Sequence, residues 1–368
     1  MIRIDRRLLA NFDFVLLILL LLVCAMALCN LYSASYPPAS IASAPYIKQG
    51  VFFLVSFVVL FLVICVDYQE LLFWNYPFYI VIVGLLILAF FIGHEANGSQ
   101  RWLNLGFFKL QPSEPAKLMM VIALASYYSR KEVMDGYSLK QLGVPILLTS
   151  LPFVLILLQP DLGTAMMLGV IFVSMTIFVR LKLSTYLILG SAGFGMILFA
   201  WEKVLKPYQK QRIQTFLNPE NDPMGHGYQI LQSKIAVGSG GKFGKGYLEG
   251  TQGHLHFLPE RHTDFAFSVW GEEWGFVGSL IFLSIYFFIL IWGLYIAMNA
   301  RDRFGVLLSF GVVMLIFWQA VINILMILGL LPVVGIPLPL VSYGGSSLLT
   351  TMMGIAILMN VRMRQFQV

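Results

Sequence analysis

Phe14-Val-Leu-Leu-Ile-Leu-Leu-Leu-Leu-Val-Cys-Ala-Met-Ala-Leu-Cys-Asn-Leu31 is an uninterrupted run without a single charge. As a helix it is about 27 Å long at 1.5 Å per residue, close to the hydrocarbon thickness of a bilayer. Comparable runs recur along the chain at 50–66, 71–92, 115–128, 142–158, 162–179, 183–201, 265–298, 304–330 and 340–360. Hydrophobic residues make up 59% of the sequence and charged residues 11%, a balance suited to lipid as solvent. The expectation is an all-α polytopic membrane protein of about ten transmembrane helices, with residues 1–368 forming one integral membrane domain. The first run follows Met1-Ile-Arg-Ile-Asp-Arg-Arg7 and has no convincing small-residue cleavage site, so it reads as a retained anchor.

Basic residues orient the chain. With the N-terminus inside, the inner segments carry twelve: Arg3, Arg6, Arg7, Arg130, Lys131, Lys140, Arg180, Lys182, Arg301, Arg303, Arg362 and Arg364. The short outer segments carry only Lys48, Arg101, Lys109 and Lys117. The asymmetry predicts a multi-pass protein with both termini cytoplasmic, and it accounts for the net charge of +6 better than a nucleic-acid stripe does. Cys24, Cys29 and Cys65 lie in apolar runs without CxxC spacing, which argues against a disulfide framework or a zinc site.

Between helices seven and eight lies the extracytoplasmic loop 202–263, where Gly238-Ser-Gly-Gly241 and Gly244-Lys-Gly246 predict tight turns. The eighth run would be about 50 Å long, too much for one perpendicular crossing. Gly275 to Ala297 alone would span, so Asp264 through Glu273 is expected at or above the outer interface, where ionised carboxylates cost little. Leu331-Pro-Val-Val-Gly-Ile-Pro-Leu-Pro-Leu340 cannot form a normal helix and predicts a re-entrant segment before helix ten, buried in protein or lining a cavity.

Three outer clusters carry chemistry. In Phe257-Leu-Pro-Glu-Arg-His-Thr-Asp264, Thr263 and Asp264 read either as a helix cap or as the approach to a catalytic carboxylate. In Gln111-Pro-Ser-Glu-Pro-Ala-Lys117, Glu114 and Lys117 share a helical face. They read as an ion pair or, with the ammonium in an internal cavity, as a phosphate site. In Gln159-Pro-Asp-Leu-Gly-Thr164, Asp161 reads as a cap or a cation ligand. Oxygen ligands such as Asp161 or Asp264 suit a divalent cation, Mg²⁺ or Mn²⁺, better than zinc. The loop cations Lys206, Lys210, Arg212, Lys234, Lys242, Lys245 and Arg261 could gather an anionic lipid headgroup.

Asn323, Gly329, Pro332, Gly335 and Ser342-Tyr-Gly-Gly-Ser-Ser347 resemble the signature of the shape, elongation, division and sporulation (SEDS) family. Gln100-Arg-Trp102, the Gln111–Lys117 and Gln159–Thr164 clusters, and Leu258-Pro-Glu-Arg-His-Thr-Asp-Phe265 fall in the same order and spacing. Pro259–Asp264 and the compact termini are closer to the rod-shape branch than to the division branch. The resemblance implies a peptidoglycan glycosyltransferase that polymerises lipid II into β-1,4-linked glycan strands in the bacterial inner membrane during rod-shape elongation. It implies Asp264 as the catalytic aspartate and Glu114 with Lys117 as a functional pair. Arg101, Arg212, Lys242 and Arg261 would bind the substrate's phosphates. It also implies a class B penicillin-binding protein transpeptidase and other rod-complex proteins as partners. The rival expectations are a lipid II flippase, which needs access from both faces, and a noncatalytic elongation-complex scaffold.

Overall fold

The computed structural model describes residues 11–37, 44–96, 99–104, 106, 109–131, 133, 135–205, 207–219, 222, 225–254 and 257–365. Arg3, Arg6, Arg7 and Lys206 lie outside them. The ten apolar runs become helices: α1 (Phe14–Ala34), α2 (Pro45–Cys65), α3 (Glu70–Ile92), α4 (Ser113–Arg130), α5 (Gly143–Leu158), α6 (Leu162–Phe178), α7 (Leu183–Phe199), and, beyond the long loop, three more. The loop itself contains α8 (Pro207–Leu217) and α9 (His226–Ser239), and the C-terminal three are α10 (Ala266–Met298), α11 (Arg303–Ile327) and α12 (Gly345–Met363). Among the described residues eight of these runs are long and apolar enough to cross a bilayer. The two that fall short are α6, with 17 residues, and α4, which carries Glu114, Lys117 and Arg130. This is a polytopic, multi-pass helical membrane protein.

The shortfall of α4 has a physical reason. It packs against α3, α5, α6, α11 and α12, and its side chains are buried from Ser113 to Tyr128 with only Pro115 partly exposed. A helix enclosed by protein tolerates a charged pair that lipid would not. By contrast α2, α3 and α7 turn apolar side chains such as Leu54, Phe73 and Leu187 outward.

The overlong eighth run is broken rather than merely tilted. Gly275 has φ 63 and ψ −159, which divides α10 into two segments. The backbone groups freed at the break pair with the loop. Lys245 and Gly246 donate to the carbonyls of Glu272 and Glu273, at 3.0 and 3.1 Å, while Phe276 and Val277 donate to Gly241 and Lys242, at 2.9 and 3.1 Å. Glycine is required on both sides: a Cβ on Gly275 would overlap the Gly244 amide, and one on Gly244 would overlap the Glu273 carbonyl. Solvation of Glu272 and Glu273 comes from the protein itself. Both are buried, and hydrogen bonds replace water: Ser33 donates to Glu273, and Lys245, Thr251 and Gln252 donate to Glu272.

Residues 328–344 form no helix, as the proline spacing predicts, and Val333, Ile336, Leu338 and Leu340 are buried. The final helix begins at Gly345, later than expected, because the chain stays irregular through Gly344. A small antiparallel sheet, β1 (His94–Ala96), β2 (Ser99–Asn104) and β3 (Lys109–Leu110), precedes α4.

Candidate functional site

Asp264 sits two residues before α10, in a tight turn closed by the amides of Thr263 and Phe265 on the Glu260 carbonyl, 3.1 and 3.2 Å. The helix-cap reading fails here. The cap position is Phe265, and the Thr263 hydroxyl instead donates to the Glu260 carboxylate at 2.8 Å. Helix α11 and the non-helical segment 328–344 hold the turn. Asn323 on α11 donates its amide to the carbonyls of Asp264 and Ile336, each at 2.8 Å. Ser342 donates to the Thr263 carbonyl at 2.6 Å, and the Tyr343 amide to His262 at 2.8 Å. Gly335, with φ 70, brings the re-entrant backbone so close that a Cβ there would lie 3.5 Å from Asp264 Oδ2.

The carboxylate of Asp264 takes no hydrogen bond from the described residues, and the residue as a whole is half-buried. Loss of hydration is the main force on it and raises its pKa to about 6, with the Glu260 carboxylate pushing the same way. Arg101 and Arg212 pull the pKa down, and Asp161 raises it slightly. The structure thus gathers Arg101 from β2, Arg212 from α8, Asp161 from the start of α6, and Glu260 around Asp264. Arg212 also donates to the Val333 carbonyl of the re-entrant segment at 3.4 Å.

Asp161 caps α6 by accepting from the Thr164 amide at 3.1 Å, and it forms an ion pair with Arg101 at 3.1 Å. Its other oxygen also accepts from Gln111 and from the Thr164 hydroxyl, at 3.3 and 3.0 Å. A carboxylate already saturated by donors, with a guanidinium beside it, suits arginine positioning and does not fit a cation ligand. Arg101 Nε is buried without a hydrogen-bond partner among the described residues, so the guanidinium retains donor capacity for an anion.

Glu114 and Lys117 form the expected pair, 2.8 Å, and both are buried. They stand three and six residues beyond Gln111, which links their helix to Asp161; no hydrogen bond or ion pair joins either to Asp264. Lys242 and Arg261 are placed elsewhere. Lys242 lies on the exposed turn over the Gly275 break, its ammonium 5.5 Å from the Phe243 ring centre. Arg261 donates to the Ala34 carbonyl at 2.7 Å, tying the Asp264 segment to the end of α1, and burial lowers its pKa. Lys210 and Lys245 likewise bond locally, to the Glu202 carbonyl and to Thr251 and Glu272.

Sequence reasoning passed over Glu260, Asn323 and Glu272 as working parts of this region. Glu260 could have been found from the two carboxylates four residues apart in Glu260–Asp264. Among the described residues no group of three His, Cys, Asp or Glu side chains is gathered that could enclose a metal alone. Asp264 and Glu260 nonetheless fit a hard cation that takes its other ligands from outside the chain, because their mutual repulsion is what such an ion relieves.

The fold and site define a class: polytopic membrane proteins whose re-entrant segment backs an acidic residue flanked by arginines. The chain belongs to the family of cell cycle proteins that comprises FtsW, RodA and SpoVE, whose model matches residues 13–367. It is 43% identical over 290 residues to the peptidoglycan glycosyltransferase MrdB of Escherichia coli K12, covering 78% of this chain and 77% of that one. It is 38% identical over 365 residues to a probable peptidoglycan glycosyltransferase FtsW of Trichlorobacter lovleyi, covering 96% and 93%. A solved chain from a peptidoglycan synthase complex that coordinates polymerization and crosslinking matches with TM-score 0.82 and 32% identity over 97% of this chain and 99% of that one.

Proposed function

We propose that this protein is a peptidoglycan glycosyltransferase that polymerises lipid II at the outer face of the inner membrane, serving rod-shape elongation. The observation that carries the reading is Asp264: a carboxylate with no hydrogen-bond donor among the described residues, its pKa raised to about 6, on which Arg101 and Arg212 both act. A base with that pKa is mostly ionised at neutral pH and still strong enough to take a proton from a sugar hydroxyl. The names of the relatives support the reaction class, and the Pro259–Asp264 run supports the elongation branch.

In the reaction, Asp264 accepts the proton of the acceptor hydroxyl as its oxygen attacks the anomeric carbon of the α-linked donor. The new carbon–oxygen bond is β, and the bond to undecaprenyl pyrophosphate breaks with its electron pair on the leaving oxygen. Arg101, held by Asp161, and Arg212, held by the Val333 carbonyl, face the developing phosphate charge. Asn323 keeps the Asp264 backbone fixed against the re-entrant segment. Lys117, bonded to Glu114, sets the charge of the inner wall. In the alternative to its role as base, Asp264 with Glu260 would hold a divalent cation, Mg²⁺ or Mn²⁺, that supplies positive charge against the pyrophosphate.

A class B penicillin-binding protein is the proposed partner, because a polymerase alone leaves glycan uncrosslinked and the matching synthase complex combines both activities. The orientation with both termini cytoplasmic puts Asp264 on the side where such a partner's periplasmic domain would meet it. The flippase reading finds less support, since Arg101, Asp161, Arg212 and Asp264 all gather at one end of the bundle.

The test is labelled lipid II incubated with purified protein and its cognate class B partner, in Mg²⁺ or Mn²⁺, comparing wild type with Asp264→Ala. Polymer from wild type alone supports the reading. Equal polymer from a folded Asp264→Ala protein would remove Asp264 as the base, and lipid transport without polymer under every condition would favour the flippase.

A further inference from the structure

A polar side chain buried in a membrane bundle must find its partners in the protein, because lipid offers none. Gln49, in the second turn of α2, is fully buried. Both ends of its amide are spent on one stretch of chain. Its Nε2 group donates to the Ser342 carbonyl, and its Oε1 atom accepts from the Gly344 amide, each at 3.3 Å. Nearly one turn further along α2, Phe52 lies against Tyr343, ring centres 6.3 Å apart.

The stretch that Gln49 grips is the one that holds the Asp264 turn. The Ser342 hydroxyl donates to the Thr263 carbonyl at 2.6 Å and accepts from the Leu338 amide at 2.8 Å, while the Tyr343 amide donates to the His262 carbonyl at 2.8 Å. Hydrogen bonds therefore run from α2 through residues 342–344 to His262 and Thr263, immediately before Asp264. The backbone is irregular through Gly344, so side chains must satisfy groups that a helix would satisfy itself, and Gln49 supplies a donor and an acceptor at once. The helix that carries it is firmly seated. At the inner end of α2, Asn360 of α12 donates to the Val63 carbonyl at 2.7 Å and accepts from the Tyr68 amide at 3.2 Å, and Arg364 donates to the Ile64 carbonyl at 3.2 Å. From Gly345 to Asn360 is about 22 Å along α12, so the pair is clamped at both ends and the Gln49 clamp bears on the turn.

We infer that Gln49 is a positioning residue for the reaction: through Ser342 and Tyr343 it fixes where Asp264 stands. Asn323 holds the same turn from α11, on the Asp264 carbonyl, and Gln49 holds it from α2, on the segment that brackets His262 and Thr263. The kinetic consequence rests on the reading of Asp264 as the base of a polymerase. The consequence for the turn's position stands on the hydrogen bonds alone.

The experiment pairs hydrogen–deuterium exchange of the detergent-purified full chain with lipid II turnover in the presence of the class B partner, for wild type, Gln49→Met and Asn360→Ala. Gln49→Met keeps the length of the side chain and removes both hydrogen bonds. The amides of Thr263, Phe265 and Tyr343 should then exchange on the order of tenfold faster, with those of α4 unchanged. Turnover should fall on the order of tenfold in kcat at unchanged KM, short of the roughly 100-fold that a full 1 Å displacement of a reacting group costs. Gln49→Asn, one methylene too short to reach both groups, should behave alike, and it decides the matter if Gln49→Met does not fold. Asn360→Ala loosens the other end of the helix pair and should melt lower, with exchange at the turn and kcat as in wild type. Wild-type exchange at Thr263, Phe265 and Tyr343 in a folded Gln49 variant, faster exchange with wild-type kcat, or equal acceleration in Asn360→Ala would each overturn the inference. Absence of polymer from wild type would instead sink the polymerase reading, and the exchange data would still decide whether Gln49 holds the turn.

Discussion

Asn323 donates its side-chain amide to the main-chain carbonyl of Asp264 at 2.8 Å, and the same amide reaches Ile336 at 2.8 Å, so one buried side chain on α11 fixes the candidate base against the re-entrant segment. Replacing it with Leu leaves two carbonyls without their donor, a loss of roughly 1–3 kcal/mol each. Asn323→Leu is expected to melt lower and to polymerise on the order of 100-fold more slowly, because a displacement near 1 Å at a reacting group has that effect. Steady-state kinetics should place most of the loss in kcat. A folded variant with wild-type kcat would show that Asp264 needs no such support.

The pH profile follows from the environment of Asp264. With its pKa near 6, turnover should climb about tenfold per pH unit below that value and level off above it. Removing the repulsion of Glu260 with Glu260→Gln should move the midpoint down, and removing the attraction of Arg101 with Arg101→Gln should move it up. Midpoints that shift in the opposite directions would contradict the assignment of these neighbours.

Stability should mirror this. The folded-state pKa of Asp264 lies above the ordinary carboxylate value near 4. Its protonated form therefore stabilises the fold fully below about pH 4, and that contribution is lost as pH rises through about 6. Asp264→Asn, permanently neutral, should melt above wild type at pH 8 and converge with it in acid. Thermal scans at both pH values check the sign.

Glu272 is expected to hold the loop on the broken helix. It is buried, pairs with Lys245 at 2.6 Å, and accepts the amides of Thr251 and Gln252 at 2.8 and 3.1 Å. Glu272→Ala leaves those donors unmatched and should cost about 3 kcal/mol, the lower end for breaking a buried pair because Lys245 is partly exposed. Limited proteolysis should cut within 245–254 faster than in wild type; an unchanged cleavage rate would assign the loop's order to other contacts.

Two glycine substitutions should separate. Gly275→Ala puts a Cβ onto the Gly244 amide at φ 63, a clash between backbones that no side-chain movement relieves, and should sharply reduce folded yield. Gly84→Ala, inside α3 with nothing within 4 Å of the added carbon, should be neutral or stabilise by up to about 1 kcal/mol. Detergent-solubilised yield and melting temperature, measured in parallel, distinguish the two.

The residues that told most from sequence alone were those whose meaning is local. The run from Phe14 to Leu31 and its successors fixed a helical membrane protein, since every backbone polar group in hydrocarbon must be satisfied within its own helix. The prolines between Leu331 and Leu340 announced a non-helical segment, the spacing of Glu114 and Lys117 announced their pair, and the excess length of the eighth run exposed a problem that the break at Gly275 resolves. What sequence could not supply was which distant side chains meet. Lys242 and Arg261 looked equivalent to Arg212 as loop cations, yet it is Arg212 whose charge lowers the pKa of Asp264, because α8 carries it to the re-entrant backbone. Asp161 read as a cap or a cation ligand, and only the packed structure showed that it both caps α6 and holds Arg101 and Gln111 on one oxygen. Glu260 and Asn323 acquire their roles from a turn and from a helix 59 residues away in sequence. Hydropathy is a property of each segment against lipid, whereas the pKa of Asp264 is a property of charges and burial contributed by separate segments, and only the packed bundle brings those together.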